Sequence, residues 1–148
     1  MNLLQEKMFL FEGEREVFIE KAMIVYRENK KYIFSGTSLH IFVLTNSCNM
    51  CCVYCQAQDS GQEFKGVMTK DIAKKAVDIA LQAPNESLTF EFQGGEPLIN
   101  FEIIKFIVEY TKRVNTVKKI YYTVVSNTLL LTDDMIDFFV ENNISLST

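Results

Sequence analysis

The stretch Leu39-His40-Ile41-Phe42-Val43-Leu44-Thr45, running directly into Asn46-Ser47-Cys48-Asn49-Met50-Cys51-Cys52-Val53-Tyr54-Cys55, decides how the rest of the chain is read. Its first seven residues are nearly all apolar, β-branched or aromatic. That predicts a strand buried on both faces, as in a parallel sheet. The segment from Asn46 to Met68 is polar and cysteine-bearing, too long for a bare linker in a compact domain unless it has a task.

Beyond this loop strands and helices alternate. Thr69 is placed to cap a helix carrying Asp71 in its first turn and Ile72, Ala76, Val77, Ile79 and Ala80, with Pro84 ending it. Leu88 to Gln93 alternates as a second strand. Asn100 is expected to cap a helix through about Val114, burying Ile103, Ile104, Ile107 and Val108. Ile120 to Val125 reads as a third strand. Thr132 then caps a helix with Met135, Ile136, Phe139 and Val140 facing inward, and Ile144-Ser145-Leu146-Ser147 opens a fourth strand. Such alternation implies right-handed βαβ units and a parallel sheet, whose ligand sites gather at the carboxyl ends of the strands.

Residues 1–38 read differently. Phe9-Leu10-Phe11 and Val17-Phe18-Ile19 around Gly13 suggest one hairpin, Ala22 to Tyr26 and Tyr32 to Phe34 a second. The expectation is a small β-rich leader, 1–38, ahead of an α/β unit, 39–148. Of the 148 residues 48% are hydrophobic and only 2 are Pro, which excludes a disordered chain. The net charge of -4 argues against a nucleic-acid partner. The apolar runs are too short to span a bilayer, and the first residues lack a signal-peptide pattern, so a cytoplasmic location without membrane contact is expected.

All 4 cysteines fall between positions 48 and 55. A disulfide framework spreads its cysteines along a chain, so this grouping points to a metal or cluster site. Cys48, Cys52 and Cys55 form C-x3-C-x2-C, with Cys51 as an additional thiol. A closed zinc site needs four ligands and usually a second pair from further along, which is missing here. His40, the sole histidine, lies inside the first strand and reads as an ordinary satisfied strand residue. Three thiolates on a 4Fe–4S cluster would leave one iron open. The residues by themselves keep both readings alive.

The segment Cys48 to Cys55 resembles the CxxxCxΦC signature of radical S-adenosylmethionine (SAM) enzymes, with Tyr54 as the aromatic. Gln93-Gly94-Gly95-Glu96-Pro97-Leu98 is similar to the family's GGEP motif, and Val125-Ser126-Asn127 looks like a segment that helps bind SAM. The wording is most similar to peptide and sulfatase maturases of the SPASM type, over about residues 39–148. The resemblance implies a partial parallel (β/α) barrel, with three βα units and a fourth strand present here, as in an N-terminal fragment of a longer enzyme. It implies that Cys48, Cys52 and Cys55 hold the cluster and that SAM occupies the fourth iron. Reductive cleavage then yields a 5′-deoxyadenosyl radical that abstracts hydrogen from a ribosomal peptide or protein. Gly94 and Gly95 would let the methionine end approach, and Glu96 would sit near its amino group. Tyr54 would border the adenine, and Ser126 and Asn127 would offer polar groups to methionine or ribose. An electron donor such as flavodoxin or ferredoxin is implied as well. Cys51 is expected to be a bystander, and the three ligand sulfurs to converge on the same side as Glu96 and Ser126. Lys112, Lys118 and Lys119 are expected to be solvated. The competing expectation is a non-catalytic remnant or zinc module on the same thiols.

Overall fold

A computed structural model describes residue 3 and residues 11–55 and 66–148. The chain divides into two units, 1–36 and 37–148. In the first, helix α1 spans Arg15–Lys30 and a 3-10 turn spans Lys31–Ser35. This corrects the expected β-rich leader. The apparent two-residue alternation of Val17 and Ile19 is outweighed by a run of strong helix formers, Arg15, Glu16, Glu20, Lys21, Ala22 and Met23. Glu16 in the first turn, and Arg27 and Lys30 in the last, match the helix dipole. Phe11 stacks on Phe18 with ring centroids 4.5 Å apart. Phe9 and Leu10 of the expected hairpin lie outside the described residues.

In the second unit the elements are β1 (Leu39–Val43), α2 (Lys70–Ala80), β2 (Ser87–Gln93), α3 (Phe101–Val114), β3 (Lys119–Val125), α4 (Asp133–Glu141) and β4 (Ile144–Ser147). A 3-10 turn, Pro97–Asn100, leads into α3. The strands form one sheet in the order β1-β2-β3-β4, every pairing parallel. The register sets Phe42 beside Phe92, Phe92 beside Val124, and Val124 beside Leu146. Thr69 and Thr132 cap their helices by accepting from the backbone N–H groups of Ile72 and Met135.

The core lies on one face of the sheet. Phe42, Leu44, Leu88, Phe90, Phe92, Tyr122 and Val124 pack with Ala73, Val77, Ile104, Ile107 and Val108 of the helices. Burial of a side chain such as Phe90 or Phe92 is worth about 1.5–3 kcal/mol. β1 is therefore not buried on both faces as expected. Phe42 is 4% exposed, but Leu39, Ile41 and Val43 are each about half exposed. The sheet face opposite the core, which continues through Tyr121 and Val125, stays open. α4 buries Phe139 alone, and Ile136 and Val140 are exposed rather than inward. Its Phe138 and Phe139 instead pack edge-on against Phe101 at the start of α3. Among the described residues no helix is long and apolar enough to cross a membrane.

Two further side chains depart from expectation. Lys118 is not simply solvated: its Nζ donates to the carbonyls of Ala83 and Asn85, at 2.6 and 2.7 Å, tying the turn after α2 to the start of β3. His40 is not fully satisfied. Its Nε2 is buried without a partner and its ring lies edge-on to Phe90.

The neck of the cysteine-bearing loop is closed by backbone pairing. Met68 N donates to Leu44 O at 2.9 Å, Asn46 N to Gly66 O at 3.0 Å, and Thr45 pairs antiparallel with Val67. The Asn100 side chain does not cap α3. Its Nδ2 bonds the carbonyls of Leu44 and Met68 at 3.0 and 3.1 Å, on both limbs of the neck. From β2, Gly95 N donates to Thr45 O at 2.8 Å and Glu96 N to Ser47 O at 2.9 Å. This close approach requires the glycine pair. A Cβ on Gly94 would run into the Thr45 carbonyl, one on Gly95 into the Ser47 carbonyl, and Gly94 has φ +154°.

Two outcomes are expected. Gly95→Ala should lower the urea midpoint by the equivalent of about 1–3 kcal/mol, because backbone rather than a flexible side chain must move. Burial outweighs the Thr37 backbone hydrogen bond and lowers the His40 pKa, so the unfolded chain takes up the proton first. That contribution to stability is present above about pH 6.5 and fades as pH falls below it. His40→Phe should therefore flatten the pH dependence of the urea midpoint between about pH 5 and 7.

Candidate cluster and cofactor site

Because the strands are parallel, the segments following β1, β2 and β3 emerge at the same edge of the sheet. Glu96 joins the second of these to the third. It is 1% exposed, and burial of a carboxylate is costly unless donors surround it. Its Oε1 accepts from Leu98 N at 3.0 Å and from Ser126 Oγ at 2.8 Å, and its Oε2 from Asn127 N at 2.9 Å. Ser126 Oγ in turn accepts from Thr128 N at 2.9 Å, in a turn where Thr128 has φ 62°.

Asn127 carries the connection onward to the cysteine loop. Its Oδ1 accepts from Leu129 N at 3.0 Å. Its Nδ2 donates to Asn49 Oδ1 at 2.9 Å and lies 3.9 Å from Cys48 Sγ. Met50 N approaches the same sulfur at 3.4 Å. Glu96, Ser126, Asn127, Asn49 and Cys48 thus form one hydrogen-bonded chain across three loops. The carboxylate expected near a ligand amino group is spent inside the protein, as are the Ser126 hydroxyl and the Asn127 amide. Asn49 belongs to this network, although the sequence reading assigned it no role. Its only signal was a polar side chain next to the first cysteine.

All four cysteines are free thiols, with Cys48, Cys51 and Cys55 exposed and Cys52 partly buried. Cys55 N donates to Cys52 O at 3.0 Å, a tight turn that presents Val53 and Tyr54 outward. Hydrogen bonding to Cys52 first, and then the nearby sulfurs of Cys52 and Cys55, push the Tyr54 pKa above the ordinary phenol value. The expected convergence of Cys48, Cys52 and Cys55 is not seen. Among the described residues no three Cys, His, Asp or Glu side chains stand close enough to hold one ion. Cys48 faces Asn127, while Cys52 and Cys55 associate with Tyr54. Gathering thiolates brings like charges together, and metal binding normally provides the compensation. The donor set itself, soft sulfur with no carboxylate or imidazole joining it among the described residues, fits an iron–sulfur cluster better than a hard cation.

Residues 42–147 match the Radical SAM superfamily. Over 112 residues the chain is 30% identical to a cysteine-type anaerobic sulfatase-maturating enzyme of Clostridium novyi, covering 72% of this chain and 30% of that one. Over 156 residues it is 26% identical to the radical SAM cyclopropyl synthase TigE of Paramaledivibacter caminithermalis, covering 86% and 33%. In structure it is similar to native anSMEcpe with bound AdoMet, with a TM-score of 0.66 and 27% identity over 73% of this chain and 30% of that chain. The chain spans about a third of the length of these relatives. The family uses a 4Fe–4S cluster and SAM. A match that begins within β1 and ends at the close of β4 takes in all three loops between the strands, and the chain therefore belongs to the radical SAM superfamily.

Proposed function

We propose that this chain supplies the cluster- and SAM-binding part of an enzyme that modifies a peptide or protein. Cys48, Cys52 and Cys55 would hold a 4Fe–4S cluster, leaving one iron for SAM. When bound, the pair supplies one-electron cleavage of the sulfonium and a 5′-deoxyadenosyl radical that takes hydrogen from the substrate. The observation that carries this reading is the hydrogen-bonded path from Glu96 through Asn127 to Cys48, which ties the three motif-bearing loops together.

Within this reading the chain's own residues mainly fix positions. Gly94 and Gly95 hold the loop after β2 against Thr45 and Ser47. Glu96 sets the backbone of Ser126 and Asn127, whose remaining surfaces would border the methionine or ribose. Tyr54, 85% exposed, would lie against the adenine. The open sheet face with Ile41, Val43 and Tyr121 would admit substrate. A peptide substrate is supported by the sulfatase-maturating relatives, and by anSMEcpe with bound AdoMet and the Cp18Cys peptide, to which this chain has a TM-score of 0.62 at 28% identity. Reducing equivalents would come from a flavodoxin- or ferredoxin-type donor.

Anaerobic reconstitution should load about four irons and four sulfides per chain. Added SAM and dithionite should then release 5′-deoxyadenosine. Cys48→Ala, Cys52→Ala and Cys55→Ala should each abolish loading, whereas Cys51→Ala should retain it. A zinc-saturated protein that takes up no iron would overturn the reading in favour of a structural zinc module.

A further inference from the structure

We propose that Asn127 acts on the cluster rather than on SAM alone: its amide N–H donates to Cys48 Sγ and raises the reduction potential of the metal centre, with Asn49 and Glu96 as the positioning residues that aim it. The geometry is specific. Asn127 is held at three points, its N–H by Glu96 Oε2 at 2.9 Å, its Oδ1 by Leu129 N at 3.0 Å and its Nδ2 by Asn49 Oδ1 at 2.9 Å. An amide fixed in this way has little freedom left, and its Nδ2 lies 3.9 Å from Cys48 Sγ.

Ligation changes which of these contacts can persist. In the free thiol, Cys48 Sγ–H points at Asn49 Oδ1, 3.9 Å away. A metal-bound thiolate has no proton, so that contact is lost and the sulfur becomes an acceptor only. The two donors aimed at it in the free protein, Met50 N at 3.4 Å and Asn127 Nδ2 at 3.9 Å, are of the kind that an acceptor-only sulfur can keep. Hydrogen bonds to ligand sulfur stabilise the added negative charge of the reduced state and so raise the potential. Met50 N belongs to the backbone of the cysteine loop itself. Asn127 arrives from β3, so its contribution depends on the Glu96 connection and can be removed by substitution.

The redox part of this inference rests on the cluster reading above, so the test has two arms. In the apoprotein, with no metal, Cys48→Ala should shift the Asn127 side-chain amide resonances in a 1H–15N spectrum, and Cys55→Ala should not. Unchanged Asn127 resonances in Cys48→Ala would overturn the contact whether or not a cluster binds. In the reconstituted protein, a dithionite titration adds one electron per cluster and makes or breaks no protein bond. Asn127→Asp keeps the acceptor for Leu129 N but replaces both amide N–H groups with a charge, and Asn127→Leu removes the donor without adding charge. The midpoint potential should fall in both, further in Asn127→Asp, and Glu96→Gln should shift it in the same direction by less. A lowered urea midpoint with an unchanged potential would show that Asn127 is only structural and would sink the proposal.

Discussion

A carboxylate removed from water must find donors or give up its charge, and Glu96 finds three, in two separate segments of the chain. One donor, Leu98 N, belongs to its own turn. The others, Ser126 Oγ and Asn127 N, belong to the segment after β3. Neither segment can move far without stranding a buried charge. The same turn is bonded on its other side to Thr45 and Ser47, at the mouth of the cysteine loop. Three loops are thereby held in one arrangement, and the position of Cys48 follows from it.

The apolar scaffold underneath is arranged to leave this edge free. Phe90 and Phe92 sit at the centre of the core, and the helices cover a single face of the sheet. The opposite face, with Leu39, Ile41, Val43, Tyr121 and Val125, remains uncovered. A chain of about a third of its relatives' length thus contains the three motif-bearing loops on a self-consistent core. The loop after β1 carries the four free thiols. The polar residues around them are largely consumed in holding one another.

Much of the second unit was legible because its signals are local. Thr69 and Thr132 announce helix starts through hydroxyls that accept from the third residue onward, and both do so. The strands stand out as short apolar runs between polar turns. The first unit misled because Val17 and Ile19 alternate over too short a window to outweigh the helix-forming residues around them. Asn100 misled for a different reason. Its place before a helix suggested a cap, whereas its amide bonds carbonyls distant in sequence, Leu44 and Met68.

The same division holds at the site. Sequence alone determined which donor groups are gathered where, since four thiols within eight positions and glycines at a strand end are properties of residue type and spacing. It also determined the parallel α/β character, because periodicity and capping act over a few residues. Only the tertiary structure decided what the motif residues do. That Glu96 turns inward to Ser126 and Asn127, that the glycines face Thr45 and Ser47, and that Asn127 reaches Asn49 and Cys48 all depend on contacts between segments 30 or more residues apart. Such contacts arise from how strands pair in the sheet, and neighbouring residues carry no record of them.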